Sequence, residues 1–573
     1  MFIYNANVRI FVKNIAMRLF IITLFLLPVI AVAQDHYALI HKADSFFQRK
    51  DYAMAVKLAD EFFTTDSSCD GCAYDAATYN AWVGNKQKAI EYLRKAFYYG
   101  YGAGRLDLET DFVSLHNEPE WPALVQMGKD SYDGKLENLP TIAGKAARKK
   151  YMAWQKDWET NNMASFKDID TNGTAAAVYK KLVAFNNYKP FTAIGRCLFL
   201  YYRANDSVQI PYLVVLPSAQ YNPAKKYPLL VVLHGAVGMA GTRPPYYIDS
   251  AGAIQSFHRH FNKYAALHEM VTIYPVATKQ YNWMAPDDGF GETPAIINYL
   301  KHLMNIDDNS VYITGHSNGA TGSFSYLMKA PSLFAAFSGM NTRPRVETGG
   351  TFLPNALNRS FYAIATDKDY YFPPNGNDTL NKLAHDMGID WTVDMHNGFP
   401  HWFPQFDAAD APVGKMFDMM LVKKRNPFHT NIYWECDDTT HGSCDWLQIT
   451  ALDTMQQPAS WHKQYNFAIH PWISNENPDS ILDITKQAFN YPRRSGAVNA
   501  TYDSNVFTLE TSCVKNIRVL ISPPMVNLSK PVIVVINGKT VFNKKLDYNK
   551  TFMLENFVQN FDRVAIWVNY IDL

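Results

Sequence analysis

Residues 311–320 read Val-Tyr-Ile-Thr-Gly-His-Ser-Asn-Gly-Ala. An apolar run of strand type enters a Gly-x-Ser-x-Gly pentapeptide, and a helix-capable stretch carrying Gly322 leaves it and ends near Lys329. A serine hydroxyl is a weak nucleophile and has to be exposed on a sharp turn where a base can reach it. Gly315 and Gly319 relieve the crowding of such a turn. The segment therefore predicts a strand, an elbow and a helix, with Ser317 at the apex. A tight turn with an ordinary surface serine is the alternative that the pentapeptide alone leaves open.

The surroundings point to a parallel α/β sheet. Tyr-Pro-Leu-Leu-Val-Val-Leu at 227–233 is a continuous apolar run of buried parallel-strand type, followed at once by His234-Gly235. Val271–Tyr274 repeats the pattern before Pro275. Thr293 and Pro294 offer a cap and a first-turn proline for a helix with Ile296, Ile297, Leu300, Leu303 and Met304 along one face. Strand–helix alternation continues through Val311, Phe361 and Trp391.

Beyond this core the texture changes, and 573 residues call for more than one domain. Arg9, Lys13 and Arg18 precede an uncharged run, Leu19–Ala33, that closes on Ala31-Val32-Ala33 before Gln34. At 15 residues the run is shorter than the ~20 needed to span a bilayer. Residues 1–33 are therefore expected to be a secretory signal peptide cut near Ala33-Gln34, whether the chain starts at Met1 or at Met17. The mature chain would be secreted or periplasmic, with no stable membrane span.

Residues 34–135 read as helices: Asp51–Ala55 and Asn85–Ala89 are offset by 34, as are Phe63 and Phe97, the interval of a tetratricopeptide unit. Such a module either packs on its neighbour or offers a surface to a protein partner. Residues 136–194 form a polar, Lys-rich helical linker, and 195–425 the α/β core. Residues 426–573 carry short alternating strands at 431–435, 446–450, 506–510, 517–521, 532–536 and 564–568, separated by turns such as Asn537-Gly538 and Pro523-Pro524. An all-β sandwich fits them, bracing the core or binding carbohydrate.

Composition excludes some functions. With 54 Lys plus Arg against 53 Asp plus Glu, no charge excess exists to drive binding to nucleic acid. Six cysteines follow Ala33, and an exported chain can pair them. Cys436 and Cys444 flank a turn-like stretch, which suggests a local bridge. Cys69-Asp-Gly-Cys72 has a redox or metal spacing, but no second pair or nearby His completes a zinc set. No metal set or phosphate-cradling glycine loop is present, so no cofactor is expected. The 14% aromatic content suits sugar- or ester-binding surfaces as well as ordinary cores.

The stretch Tyr227–Gly235, the segment from Ile306-Asp307 to Gly315 and the Gly-His-Ser-Asn-Gly elbow resemble the α/β-hydrolase family, in particular its secreted polyester-depolymerase and feruloyl-esterase type. The resemblance covers roughly residues 195–425. It implies the chain order serine, acid, histidine. The acid follows the strand at Phe361–Ala365, and the family's Asp-x-x-apolar-Pro spacing selects Asp369 over Asp367. The histidine follows the last core strand directly before an aromatic, which selects His401 over His396. In these roles His401 takes the Ser317 proton and Asp369 fixes the imidazole tautomer. The backbone N–H groups of Asn318 and Ala236 are the candidate oxyanion donors. Trp283 and Trp402 are candidates to stack on an acyl group or simply to close loop packing, and His234 is read as structural. The implied activity is carboxylic-ester hydrolysis through an acyl-enzyme, on polysaccharide-linked acyl groups or short polyesters. A prolyl-oligopeptidase-type peptidase and an inert interaction protein are the rival readings.

Overall fold

The computed structural model describes residues 39–573 except 41, 48, 65–68, 99–100, 102, 104–105, 140–141, 144–155, 158, 162–168, 191–196, 205–208, 218–220, 238–257, 278–280, 286–288, 370 and 474–480. The expected signal peptide, 1–33, lies outside the described residues. The chain divides into two compact units, one ending at Asn138 and one running Leu139–Leu573.

In the first unit, helices α1 (Tyr52–Phe62), α2 (Asp70–Trp82), α3 (Lys86–Tyr98) and α4 (Trp121–Glu137) surround one apolar cluster. The two segments offset by 34 fold as α1 and α3. Asp51 caps α1 by accepting from Met54 N at 3.2 Å. Ala55, Ala59 and Phe62 of α1 and Ala89, Leu93 and Phe97 of α3 are buried, the alanines keeping side-chain bulk low where the helices pack. Cys69 and Cys72 are joined by a disulfide at the start of α2.

The second unit contains α5 (Ala175–Val183) and is built on an eight-stranded sheet. Its strands are β1 (Cys197–Arg203), β2 (Gln209–Val215), β3 (Tyr227–Leu233), β4 (Val271–Pro275), β5 (Ile306–Gly315), β6 (Ala336–Met340), β7 (Phe361–Lys368) and β8 (Trp391–Pro400). Their spatial order is β1-β2-β4-β3-β5-β6-β7-β8. β1 and β2 pair antiparallel and β2 meets β4 antiparallel; every other pairing is parallel. β4 and β6 are buried at every position, and β3 at all but one, because helices cover both faces of a parallel sheet. The connecting helices are α6 (Arg259–Leu267), α7 (Glu292–Leu303), α8 (Asn318–Lys329), α9 (Pro374–Asp386) and α10 (Asp410–Leu421). Ile296, Ile297, Leu300 and Leu303 form the buried face of α7, as their spacing predicts. Its N-cap is Gly291, however, and Thr293 lies inside the first turn, buried with its neighbour Glu292.

The C-terminal part contributes two further sheets. The first orders β9 (Asn431–Cys436), β12 (Gly496–Asp503), β13 (Val506–Ser512), β15 (Val532–Ile536) and β16 (Lys539–Lys544). The second orders β10 (Ser443–Cys444), β11 (Leu447–Leu452), β14 (Val514–Ile521) and β17 (Asn569–Asp572). Phe507 and Leu509 alternate with exposed Val506, Thr508 and Glu510, the period of a half-buried strand, and they share one cluster with Ile449, Ile517 and Val519 of the other sheet.

Two expectations fail in this part. Cys436 and Cys444 form no bridge: both are buried free thiols, on strands of different sheets and enclosed in the shared apolar core. Residues 564–568 form no strand, because Asp562 Oδ1 accepts from Val564 N at 2.9 Å and Ala565 N at 2.8 Å and turns the chain; the strand comes later, as β17. Helix α11 (Lys550–Asn560), which the strand pattern of this region does not announce, packs against α5 through Met553, Phe557, Val178 and Leu182.

The C-terminal segment is locked to the eight-stranded sheet by buried charge. Arg425 donates to both Asp562 oxygens at 2.6 and 2.9 Å, Arg563 to Asp308 at 2.8 Å, and Lys301 lies 3.0 Å from Asp308. Burial pushes the Asp562 carboxyl up, but Arg425 and then Lys301 outweigh burial and hold it well below the usual carboxylate range. Because the folded pKa is depressed, the stabilisation is present above the unfolded value of about 3.9 and is lost as pH falls through the folded value. Arg425→Met would leave that carboxylate without its closest partner. It is expected to cost about 3–5 kcal/mol at pH 7 in a denaturant titration, with a smaller loss on going to low pH than the parent shows.

Candidate active site

β5 ends at Gly315 and α8 begins at Asn318, so Ser317 sits in the crossover with φ 57° and ψ −124°. A left-handed φ at a residue with a Cβ costs about 1–3 kcal/mol and persists only where its surroundings impose it. Here they do: Ser317 N donates to Met340 O at 3.1 Å, Thr321 N donates to Ser317 O at 3.0 Å, and Gly319 N donates to His316 O at 2.8 Å. A Cβ at Gly319 would lie 1.9 Å from Leu233 O, and one at Gly315 would lie 2.5 Å from the Gly319 carbonyl carbon. The elbow can rest directly on the end of β3 only with glycine at both places. Gly319→Ala should destabilise the protein by about 3 kcal/mol in chemical unfolding, since the backbone of Leu233 and His234 must move.

Asp369 and His401 are the residues directly after β7 and β8, which pair in parallel. The register runs evenly to His396 opposite Thr366, then slips so that Pro400 falls opposite Lys368. This bulge swallows extra residues of β8 and brings His401 level with Asp369. Asp369 Oδ2 lies 2.8 Å from His401 Nδ1, and Oδ1 accepts from Tyr371 N at 3.0 Å and Phe372 N at 2.9 Å. Both side chains are nearly sealed from solvent, at 1% and 2% exposure. A carboxylate with three donors around it aims its second oxygen at one ring nitrogen, which leaves His401 Nε2 for other chemistry.

The alternative candidates, Asp367 and His396, make other contacts. Asp367 Oδ1 accepts from Gly398 N at 2.6 Å, which holds the bulge of β8, where Gly398 takes a φ of 93°. His396 stacks on Phe403 at 5.3 Å, with Nε2 3.5 Å from Asp394.

Three residues not singled out in the sequence secure His401. His316 Nε2 donates to His401 O at 2.7 Å, and Asn341 Nδ2 donates to the same oxygen at 2.7 Å. Thr366 Oγ1 is 3.2 Å from both Asn341 Oδ1 and Pro400 O. Burial, with His401 adding to it, pushes the His316 pKa well below its ordinary value, so His316 is a neutral donor. Because His316 precedes Ser317 in the chain, this bond ties the histidine loop to the elbow. Its position inside the pentapeptide was the available clue; Asn341 and Thr366 carry none.

At the other side, Asn318 Oδ1 accepts from Val237 N at 3.2 Å and staples the loop after β3 to the start of α8. That bond fixes the stretch carrying the Ala236 amide relative to Asn318. As the first residue of α8, Asn318 has no carbonyl within the helix to receive its N–H. Ala236 has a φ of 54° and Asn341 one of 51°, so left-handed non-glycine residues stand at the ends of β3, β5 and β6 together. A Cβ on Gly235 would be 3.1 Å from Ser317 Cβ, which shows how closely this loop approaches the serine. His234 Nε2 accepts from Ala277 N at 3.0 Å, so its proton sits on Nδ1, 2.7 Å from Gly235 O. The ring is a strut between the loops after β3 and β4.

The two tryptophans part company. Trp283 is 2% exposed, pressed against Gly322 of α8 and edge-on to His234 at 4.9 Å. It belongs to the core beneath the site and offers no open face to a ligand, because only the missing Cβ of Gly322 makes room for it. Trp402 is half-buried, 5.1 Å from His401 and 5.9 Å from Tyr371, and lies at the site itself.

No protein-family model and no curated protein matches the chain. Among solved structures it is similar to a thermostable esterase, at 22% identity over 40% of this chain and 64% of that one, with a TM-score of 0.33. It is similar to a ferulic acid esterase at 15% identity, over 39% of this chain and 98% of that one, with a TM-score of 0.32. The apo form of Thermogutta terrifontis esterase 2 matches at 14% identity, over 40% and 95%, also with a TM-score of 0.32.

Proposed function

We propose that the chain is an exported serine hydrolase of the α/β-hydrolase type that cleaves carboxylic esters through an acyl-enzyme. The observation that carries this reading is the pairing of a strained serine, Ser317, with a sealed His401–Asp369 couple whose loop is bonded to the serine's own neighbour. His401 Nε2 takes the Ser317 proton as the hydroxyl oxygen attacks the ester carbon. The Asp369 carboxylate steadies the imidazolium that results, and the amides of Ala236 and Asn318 receive the oxyanion. His401 then returns the proton to the leaving alcohol, and water repeats the sequence on the acyl-enzyme. Trp283 supports α8 from below, and Trp402 flanks the histidine on the substrate side. The export part of the proposal stands on the layout of residues 1–33.

A peptidase would use the same groups on an amide. The test compares p-nitrophenyl acetate with a prolyl naphthylamide: turnover of the ester alone is the expected result, and turnover of the amide alone overturns the ester reading.

A further inference from the structure

β6 ends at Met340, and the next residue, Asn341, turns the chain with a φ of 51°. Asparagine is one of the few residues with a Cβ that enter this left-handed region readily, but glycine enters it as easily, so the turn alone does not account for the amide group. The bonds of that residue do. Asn341 is 1% exposed, its N–H donates to Ile364 O at 2.8 Å, and its side-chain Oδ1 accepts from Thr366 Oγ1 at 3.2 Å. Its Nδ2 donates to His401 O at 2.7 Å. Turned over, the amide would set its oxygen against the carbonyl oxygen of His401, so the two side-chain bonds fix which way it faces.

Each of these bonds leads to a different member of the site. Met340 O, one residue back, accepts from Ser317 N at 3.1 Å, so the elbow rests on the same turn. Thr366 lies near the end of β7, and its carbonyl accepts from the N–H of Asp369 at 3.4 Å. His401 is reached directly, through its own carbonyl. The Asp369 carboxylate at Nδ1 sets the rotation of the imidazole, whereas bonds on the His401 carbonyl set where the ring stands. His316 Nε2 reaches that oxygen from the elbow, and Asn341 reaches it from the end of β6.

Proton transfer needs its heavy atoms about 2.6–3.2 Å apart, and a misplacement of about 1 Å costs about a hundredfold in rate. We propose that Asn341 is a positioning residue of the reaction: its amide holds the main chain of His401 where Nε2 stays within reach of the Ser317 oxygen, during acylation and again during deacylation. This rests on Ser317 and His401 acting as described above. Asn341 acts through His401 and not on the substrate, so its removal should lower kcat and leave KM in place.

The test measures p-nitrophenyl acetate turnover by the full chain and two variants. Asn341→Gly keeps the left-handed turn and removes the amide; kcat is expected to fall about ten- to hundredfold, with KM within about twofold of the parent. A folded Asn341→Gly with kcat within about threefold of the parent, or with its loss in KM instead, overturns the proposal. Asn341→Asp is nearly the same shape and supplies a readout that a merely structural part would not move. Protonated, its carboxyl donates to His401 O and accepts from Thr366 as the amide does; ionised, it sets oxygen against oxygen. Burial raises the pKa of a carboxyl, so the ratio of variant to parent kcat should be near one at about pH 5 and fall about tenfold or more by about pH 9. A ratio that does not change with pH, at one or below it, overturns the proposal, and this arm decides the matter if Asn341→Gly does not fold. The parent separates the failures: if it turns over the ester while the variants behave as it does, only the role of Asn341 is lost, and if it does not, the ester reading falls and takes this role with it.

Discussion

Replacing Ser317 with alanine should lower kcat/KM toward p-nitrophenyl acetate by about a million-fold, the scale seen when the nucleophile of such a triad is removed. The loss is large because every covalent step passes through one oxygen. What survives comes from binding and from the amides of Ala236 and Asn318, which the substitution leaves in place. Folding should be unaffected, since the elbow is held by the backbone contacts of Ser317 to Met340 and Thr321, and its side chain makes no cap hydrogen bond to α8 among the described residues. Circular dichroism and a denaturation curve matching the parent, together with more than one per cent of the parent activity, would place the nucleophile elsewhere.

Asp369→Asn is the second large effect, expected to lower kcat by about ten-thousandfold with little change in stability. Asp369 Oδ1 accepts from two backbone amides, and an asparagine oxygen can do the same. Its amide nitrogen would then face His401 Nδ1 as a donor, and Nδ1 would have to accept. The proton would move to Nε2, and the ring could no longer take one from Ser317. Asp367→Asn makes the contrast, because Asp367 bonds the bulge at Gly398 and the change should cost less than about tenfold. Equal losses from the two substitutions, read as kcat on the same ester, would remove Asp369 from its role.

Much of this site is legible in the order of residues alone. The elbow is a local matter: Gly315, Ser317 and Gly319 lie within five residues, and the demand for missing Cβ atoms acts over that distance. The core strands are legible because burial on both faces writes itself as an unbroken apolar run. The choice between Asp369 and Asp367, or between His401 and His396, is not local. It depends on how far β8 slips against β7, and that slip is fixed by a bond from Asp367 to Gly398 across the two strands. Trp283 escapes a sequence reading for a related reason: an aromatic in a loop reads the same whether it points outward or into the gap left by a glycine on α8. The segment at 564–568 is apolar enough for a strand, but Asp562 just before it turns the backbone.

The central claim is that Ser317 is a nucleophile activated by His401. The most direct measurement treats the folded full-length protein with a fluorophosphonate and maps the adduct by peptide mass spectrometry. A single phosphonylated residue at Ser317, with labelling lost in His401→Ala, is the predicted result. A folded protein that takes no label, or one labelled at another residue, contradicts it.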